Sequence, residues 1–308
     1  MKVETLAYAY FEDNIVPFAE ASVSVATHAL QYGTGVFGGI RGYYNVDDQA
    51  IRIFRLEDHI KRLRNSSGFL RIAVPDAESF KAIFIELTKR NAPHKNVYYR
   101  PFAYKAGFDL TPSLANIKDG LAIYMIGLED FYSSDKGLSV MVSSWRRISD
   151  SIIPARGKVS GGYVNASLAK DDARQAGFDE AILLNDKGKV SEGSAANIFM
   201  VRDGVLITPP VYADVLEGIM RRSVLKMAAD MNIETLEREI DRSELYIADE
   251  LFFCGTGAQI TPIAQVDKRF VGDGTVGKLT KCLRDCFFSI VQGKNTQYEA
   301  WTTRVDIG

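Results

Sequence analysis

Two periodicities divide the chain. Stretches dense in tyrosine and branched residues, or alternating apolar with polar positions, predict strands, and apolar residues recurring every three or four positions predict helices. LAYAYF and IVPF flank the pair Asp13-Asn14, so residues 6–18 are expected to form a hairpin turning at that pair. AIRIF (50–54) is expected to pair with the strand before it across the polar turn Val46 to Gln49. In LEDHIKRLRNSSGFL, Ile60, Leu63 and Ser67 share a helix face; Arg62 lies off it and is by default a solvated charge. Phe80, Ile83, Phe84 and Leu87 define a second amphipathic helix. NVYYRPFAY (96–104) and GLAIYMIGL (120–128) read as central strands.

The pattern then changes. EDFYSSDKG (129–137) has no core periodicity and is expected to be a linker, and beyond it LSVMVSSW opens a series of strands interrupted by single helices. EAILL, NIFMV and VLITPP are expected to form a meander with turns at Asp186-Lys187-Gly188 and Asp203-Gly204. Residues 215–232 predict a helix opening on Glu217-Gly218, and DRSELYIA carries a capping box of Asp241 and Glu244. ELFFCGTGAQITPI (250–263) reads as a buried strand entering a Gly-Thr-Gly turn, and a last helix runs from about Lys278 to Val291. A chain of 308 residues exceeds what one core organises, so two α/β domains are expected, 1–128 and 138–308.

Composition narrows the function. With 46% hydrophobic and 25% charged residues and a formal net charge of −2, the chain carries no electrostatic footprint for nucleic acid or an anionic membrane, which leaves small molecules or further copies of itself as partners. Three cysteines without a C-x-x-C pair, and three histidines, argue against a metal site and for a reducing, cytoplasmic setting. Cys282 and Cys286, spaced i, i+4, are expected to be buried thiols rather than a redox pair. The N-terminal MKVETLAYAYFEDN has no signal-peptide core, and no apolar run of about 18 residues occurs, so a soluble protein is expected.

Several stretches carry chemistry. Thr27 to Tyr44 mixes five glycines with aromatics, as where backbone closely approaches a ligand or a neighbouring chain, or where a strand bends. Tyr98 and Arg100 share one face of a strand; together they suit a carboxylate, although two outward polar residues on an edge strand give the same pattern. Lys158, Tyr163 and Glu192 are an amine, a phenol and an anion, the groups a pyridine aldehyde cofactor uses, and equally three ordinary surface residues. The helix start at Gly218 and the Gly255-Thr256-Gly257 turn offer backbone N–H groups that suit an anion, or simply cap.

In order along the chain stand HALQYGTGVFGGIR, the H-x-x-R-L of His59 to Leu63, YYRP, VSSW, PARGKVSGGYVNASL, VSEGSAANIF, DGVLITPP, LEGI, LYIADELF and CGTGAQITPI. This ordered set resembles the branched-chain amino acid aminotransferases, pyridoxal-phosphate enzymes of fold type IV. The resemblance covers nearly the whole chain and implies two α/β domains with the cofactor site at their interface. It makes Lys158 the Schiff-base lysine and catalytic proton carrier, Tyr163 the partner of the cofactor's phenolic oxygen and Glu192 that of its ring nitrogen, with Asn197 supporting Glu192. Arg62, Gly218, Ile219, Met220 and Thr256 would hold the phosphate. Tyr98, Arg100, Thr256 and Gly257 would receive the substrate carboxylate, and Tyr32, Phe37 and Gly39 the side chain, with Tyr32 also a candidate for reaching a partner subunit. It further implies a homodimer or homohexamer that moves amino groups from leucine, isoleucine and valine to 2-oxoglutarate. The sequence departs from the family where F-E-G-I-R reads Phe37-Gly38-Gly39-Ile40-Arg41, where Met220 replaces a frequent threonine, and in the loop 106–112. These departures leave open D-amino acid or (R)-amine transamination, and a lyase of the same fold.

Overall fold

The structure is a computed structural model that describes residues 4–128 and 136–307. Helices are α1 (His28–Tyr32), α2 (Leu56–Phe69), α3 (Ala77–Asn91), α4 (Tyr163–Gln175), α5 (Ile219–Asp230) and α6 (Lys278–Val291). The first strands are β1 (Glu4–Thr5), β2 (Tyr8–Phe11), β3 (Asn14–Pro17), β4 (Gly35–Phe37), β5 (Ile40–Asn45), β6 (Ala50–Phe54), β7 (Val97–Lys105) and β8 (Asp119–Gly127). There follow β9 (Leu138–Arg146), β10 (Glu180–Leu184), β11 (Val190–Gly193), β12 (Asn197–Arg202), β13 (Val205–Thr208), β14 (Thr235–Glu237), β15 (Glu250–Gly255), β16 (Gln259–Val266), β17 (Arg269–Phe270) and β18 (Thr302–Asp306). Two compact units result, one of residues 1–129, 157–161 and 288–308, the other of 130–156 and 162–287. Of the expected linker 129–137, residues 129–135 lie outside the described residues.

The first unit holds an antiparallel sheet ordered β18-β6-β5-β7-β8-β2-β3, with β1 on β8 and β4 on β7. The expected hairpin is there, but it turns one residue early, on Glu12 and Asp13 at φ 45° and 66°, with Phe11 opposite Asn14. Two successive left-handed residues match the twist of the arms. β7 lies between β5 and β8, so Tyr98 and Arg100 do not sit on an edge strand. Alternation turns Tyr99 the other way, into the core, where its hydroxyl meets Thr88 Oγ1 of α3 at 2.7 Å and its ring meets Phe84 edge-on. α3 starts at Asp76, whose carboxylate accepts from the N–H groups of Glu78 and Ser79, and it buries Phe80, Phe84 and Leu87.

Two segments from later in the chain belong to this unit rather than to one continuous C-terminal block of 138–308. β18 runs antiparallel along β6, from Thr302 opposite Phe54 to Asp306 opposite Ala50, and so covers an edge that β5 leaves open. Residues 157–161 lie along β4, where Val159 bridges Val36.

The sheet of the second unit is ordered β11-β10-β9-β16-β15-β12-β13-β14, with β17 on β16. EAILL, NIFMV and VLITPP do not form a meander. β10 pairs with β11 and β12 with β13, each antiparallel, while β9, β16 and β15 stand between the two hairpins. β9 takes the central position because it pairs parallel with both β10 and β16. The core includes Val140, Ile182, Ile198, Met200, Phe253 and Ile263. α4 lays Ala169 and Ala173 on Ala181 and Leu183, small side chains that bring the helix close to the strands.

Of the cysteines, Cys254 is buried, which pushes its thiol pKa up, whereas Cys282 is exposed and Cys286 half-buried. The expectation of two buried thiols on α6 therefore fails for Cys282. The stripe α6 buries runs through Leu283, Phe287 and Ile290, and Cys282 lies off it.

The capping box holds, and it anchors an ionic cluster. Glu244 accepts the Asp241 N–H at 3.0 Å, both Nη1 and Nη2 of Arg238 at 2.9 and 2.7 Å, and Arg202 Nη1 at 3.2 Å. The bidentate guanidinium is the largest cause that pulls the Glu244 carboxyl down to about 2. A depressed carboxyl stabilises the fold above its unfolded value and ceases to do so as pH falls toward the folded one. In urea unfolding, Glu244→Gln is expected to cost about 2 kcal/mol at pH 7, discounted for the partly exposed arginines. That difference from the parent closes as pH falls from 4.5 toward about 2.

Candidate active site

In the first unit the segment Gly157–Gly161 is fixed from both sides. Phe37 N–H donates to Lys158 O (3.0 Å), Val36 bridges Val159, and Ser160 Oγ donates to Gly33 O and Gly35 O (2.9 and 3.0 Å). From α2, Ser66 Oγ accepts the Lys158 N–H at 3.2 Å. These contacts use only the backbone of the lysine, and its Nζ stands 5.1 Å from the centroid of the Phe37 ring. The Arg100 guanidinium lies 4.8 Å from the same ring and 5.2 Å from that of Tyr98. Phe37, Tyr98, Arg100 and Lys158 are thus brought together, with two cations over aromatic faces. Arg100 Nε is a buried donor without a hydrogen-bond acceptor, a group suited to an incoming anion.

Gly39 belongs to this group because a Cβ there would stand 1.8 Å from Tyr98 Oη. Tyr32, at the end of α1, donates its hydroxyl to Leu110 O at 2.7 Å, within the loop 106–112. His28, which sequence reasoning passed over, pins that loop: its N–H donates to Gly107 O (3.0 Å), Nε2 lies 3.0 Å from Thr111 O and Nδ1 2.7 Å from Thr34 Oγ1. Arg62 is half-buried rather than solvated. It stands one turn before Ser66 on α2, on the side of the helix that meets the lysine segment.

In the second unit the organising group is the Glu192 carboxylate, buried on β11. Oε1 accepts Arg147 Nε at 2.9 Å; Oε2 accepts Asn197 Nδ2 at 3.0 Å and the Leu216 N–H at 3.2 Å. The same Asn197 amide donates to Leu216 O at 2.9 Å, so Glu192 and Asn197 grip the chain just before α5. Gly218 is the N-cap of α5, and any Cβ there would fall 1.9 Å from Asn197 Oδ1. The first turn begins with Ile219 and Met220, carries no acidic side chain and has no capping side chain on its N–H groups. Glu217, the nearest carboxylate before it, is paired with Arg156 at 2.9 Å. Such a helix start is suited to a phosphate.

Thr256 and Gly257 occupy the turn between β15 and β16, and β15 pairs Cys254 with Asn197. Tyr163 opens α4, half-buried. Arg147 escaped sequence reasoning because Arg146-Arg147 at a strand end looks like a solvated pair. Among the described residues no group of three or more His, Cys, Asp or Glu is placed to hold a metal ion, and no helix is long and apolar enough to cross a membrane.

The kinds of group pyridoxal phosphate calls for occur in each unit taken by itself: in the second an uncapped helix start without acidic residues and a clamped carboxylate, in the first a lysine amine beside an aromatic ring. Residues 35–266 match the amino-transferase class IV family, and the chain belongs to it. It is a pyridoxal-phosphate-dependent transaminase with the two-sheet α/β fold of its relatives. The particular likeness is to branched-chain enzymes. A probable branched-chain-amino-acid aminotransferase of Synechocystis sp. is 42% identical over 98% of both chains. The crystal structure of a branched-chain aminotransferase from Thermoproteus uzoniensis with norvaline superposes with a TM-score of 0.92, at 38% identity, covering 98% of this chain and 99% of that one. That of the T.th. branched-chain amino acid aminotransferase complexed with N-(5'-phosphopyridoxyl)-L-glutamate gives 0.91, at 38% identity over 97% and 98%.

Proposed function

We propose that the chain transfers the amino group of L-leucine, L-isoleucine or L-valine to 2-oxoglutarate in two successive half-reactions on one site. The observation that carries this reading is the Glu192 carboxylate, buried and gripped by Arg147, Asn197 and Leu216 immediately before the uncapped start of α5. When bound, pyridoxal phosphate supplies an electron-accepting ring that takes up the pair released as the Cα–H bond breaks. Glu192 would hold the proton of the ring nitrogen, and Tyr163 would hydrogen-bond the phenolic oxygen. Arg62, the N–H groups of Ile219 and Met220, and Thr256 would hold the phosphate, with Gly218 allowing the close approach. Lys158 would hold the cofactor's aldehyde carbon, and its Nζ, when free, would take the proton from the substrate Cα and return it.

Tyr98 and Arg100, with the N–H groups around Thr256 and Gly257, receive the substrate carboxylate. Arg100 Nε is supported in this role by its burial without an acceptor. Phe37, Gly39 and Tyr32 line the side-chain pocket, and the apolar character of Phe37 suits an aliphatic chain. The L-glutamate adduct and the norvaline of the two related crystal structures represent the acidic and aliphatic substrate types the reading requires. The protein works in the cytoplasm as a homodimer or homohexamer. Supporting assembly, Val25, Leu30, Phe108 and Leu110 are exposed apolar side chains, Leu110 at 94%, on the two segments that Tyr32 and Leu110 join.

A single-turnover screen tests the substrate class. The long-wavelength band of the bound cofactor is expected to disappear with L-leucine, L-isoleucine, L-valine and L-glutamate, and to return with 2-oxoglutarate. Turnover of (R)-1-phenylethylamine or D-alanine with little on leucine would assign the same chemistry to amines or D-amino acids. Pyruvate released from an aminated substrate without an oxo-acid acceptor would assign a lyase.

A further inference from the structure

Arg147 sits against the Glu192 carboxylate, on which the candidate site of the second unit is built. Its Nε donates to Glu192 Oε1 at 2.9 Å, and the two side chains are 13% and 8% exposed, so the pair is shielded from solvent screening. The backbone around Arg147 is held on every side. Its N–H donates to Leu184 O at 2.8 Å, the Asn165 amide donates to Arg146 O at 2.9 Å, and the Ile148 N–H donates to Asn165 Oδ1 at 3.3 Å. One asparagine thus clamps the residues on both sides of the arginine, and it stands on α4 two positions after Tyr163. Glu192 for its part lies opposite Leu183 in the β10–β11 ladder, one residue from the carbonyl that holds Arg147. The end of β9, the end of β10, β11 and the first turn of α4 therefore converge on a single guanidinium–carboxylate contact.

We propose that Arg147 is a positioning residue that sets how strongly Glu192 attracts the proton of the cofactor's ring nitrogen. This rests on the reading of Glu192 as the partner of that nitrogen. A carboxylate opposite a protonated ring nitrogen can take the proton outright or merely accept a hydrogen bond from it. Which of the two occurs follows from the relative proton affinities. The guanidinium touches the carboxylate and is farther from any ligand that the carboxylate faces, so it lowers the proton affinity of Glu192 more than that of its partner. The proton then stays on the ring, where it is needed if the ring is to accept electrons. The contact also leaves Glu192 little rotational freedom: Oε1 is committed to Arg147, and Oε2 to Asn197 and Leu216.

The test uses the holoenzyme reconstituted with pyridoxal phosphate labelled with 15N in the ring, comparing the parent with Arg147→Met and Arg147→Lys. The parent is expected to show a pyridinium resonance that persists up the pH range. In Arg147→Met, which keeps most of the volume and loses the charge, the resonance moves toward the neutral-pyridine position as the proton shifts toward Glu192. The cofactor is expected to dissociate about tenfold faster there, the loss of one charge-assisted contact. Arg147→Lys, which restores a cation, is expected to recover most of the parent's 15N shift, a rescue that a purely packing role does not produce. An Arg147→Met enzyme with the parent's 15N shift and cofactor dissociation rate would overturn the proposal, as would a lysine variant no closer to the parent than methionine. If Arg147→Met does not fold, Arg147→Lys against Arg147→Gln decides on the same two readouts. A parent protein that shows no bound pyridinium signal at all would instead overturn the reading of Glu192, and is thereby distinguished from failure of the proposal.

Discussion

Lys158→Ala is expected to abolish amino transfer, with kcat lowered by about 10⁴-fold or more, the upper end of what a positioned proton carrier contributes. Two functions disappear together, the anchor for the cofactor aldehyde and the base that moves the Cα proton. The fold is expected to survive. The backbone at 158 keeps its bonds to Phe37 and Ser66, neither of which uses the lysine side chain, and the half-buried amine leaves a gap that water can fill. Circular dichroism and urea unfolding should match the parent, while a coupled assay for glutamate formed from 2-oxoglutarate and leucine reads zero. Exogenous methylamine should restore a small part of the rate by replacing the missing base, without restoring cofactor retention.

Glu192→Gln is expected to lower kcat by about 10²- to 10³-fold, in line with the loss of one preorganised electrostatic partner. The substitution preserves shape. The glutamine carbonyl can still accept from Arg147 or from Asn197 and Leu216, but it carries no charge to hold a ring proton. The cofactor should therefore bind with reduced affinity and accept electrons poorly. Glu192→Ala goes further, since it leaves the guanidinium of Arg147, 13% exposed, without its carboxylate. Breaking a buried pair on one side costs about 3–5 kcal/mol, so the alanine variant should be measurably less stable, whereas glutamine mainly loses rate. Stopped-flow measurement of the leucine half-reaction separates the two, because stability does not enter a single-turnover rate below the unfolding transition.

Much of the fold was legible because its signals are local. The spacing of Phe80, Phe84 and Leu87 marked α3, and Asp241 with Glu244 marked the capping box. What escaped depended on pairings between distant segments. The meander failed because β9, laid down earlier in the chain, occupies the place beside β10 that simple succession assigns to β12. A boundary drawn by composition could not anticipate that β18 returns to β6, since edge strands look alike in sequence. Cys282 turned outward because a rotation of one residue on α6 moves a side chain about 100°.

The candidate site divides in the same way. Lys158, Tyr163, Glu192 and Gly218 stand in short motifs that carry the family resemblance, and their expected roles come from it rather than from residue type alone. It gives no role to Arg147 or His28. Arg147 reaches Glu192 only because β10 pairs with both β9 and β11, and His28 meets Thr111 of the loop 106–112 across 83 positions of chain. Arg62 illustrates a third case, where helix periodicity assigned it to solvent and the structure half-buries it beside the turn that carries Ser66.

Lys158 is expected to carry the cofactor. Borohydride reduction of the holoenzyme, followed by proteolysis and mass spectrometry, tests it most directly. A phosphopyridoxyl group on the peptide containing Lys158, lost when L-leucine is added before the borohydride, is the predicted result. Label on another lysine, such as Lys105 or Lys170, or no label on any peptide, would contradict it.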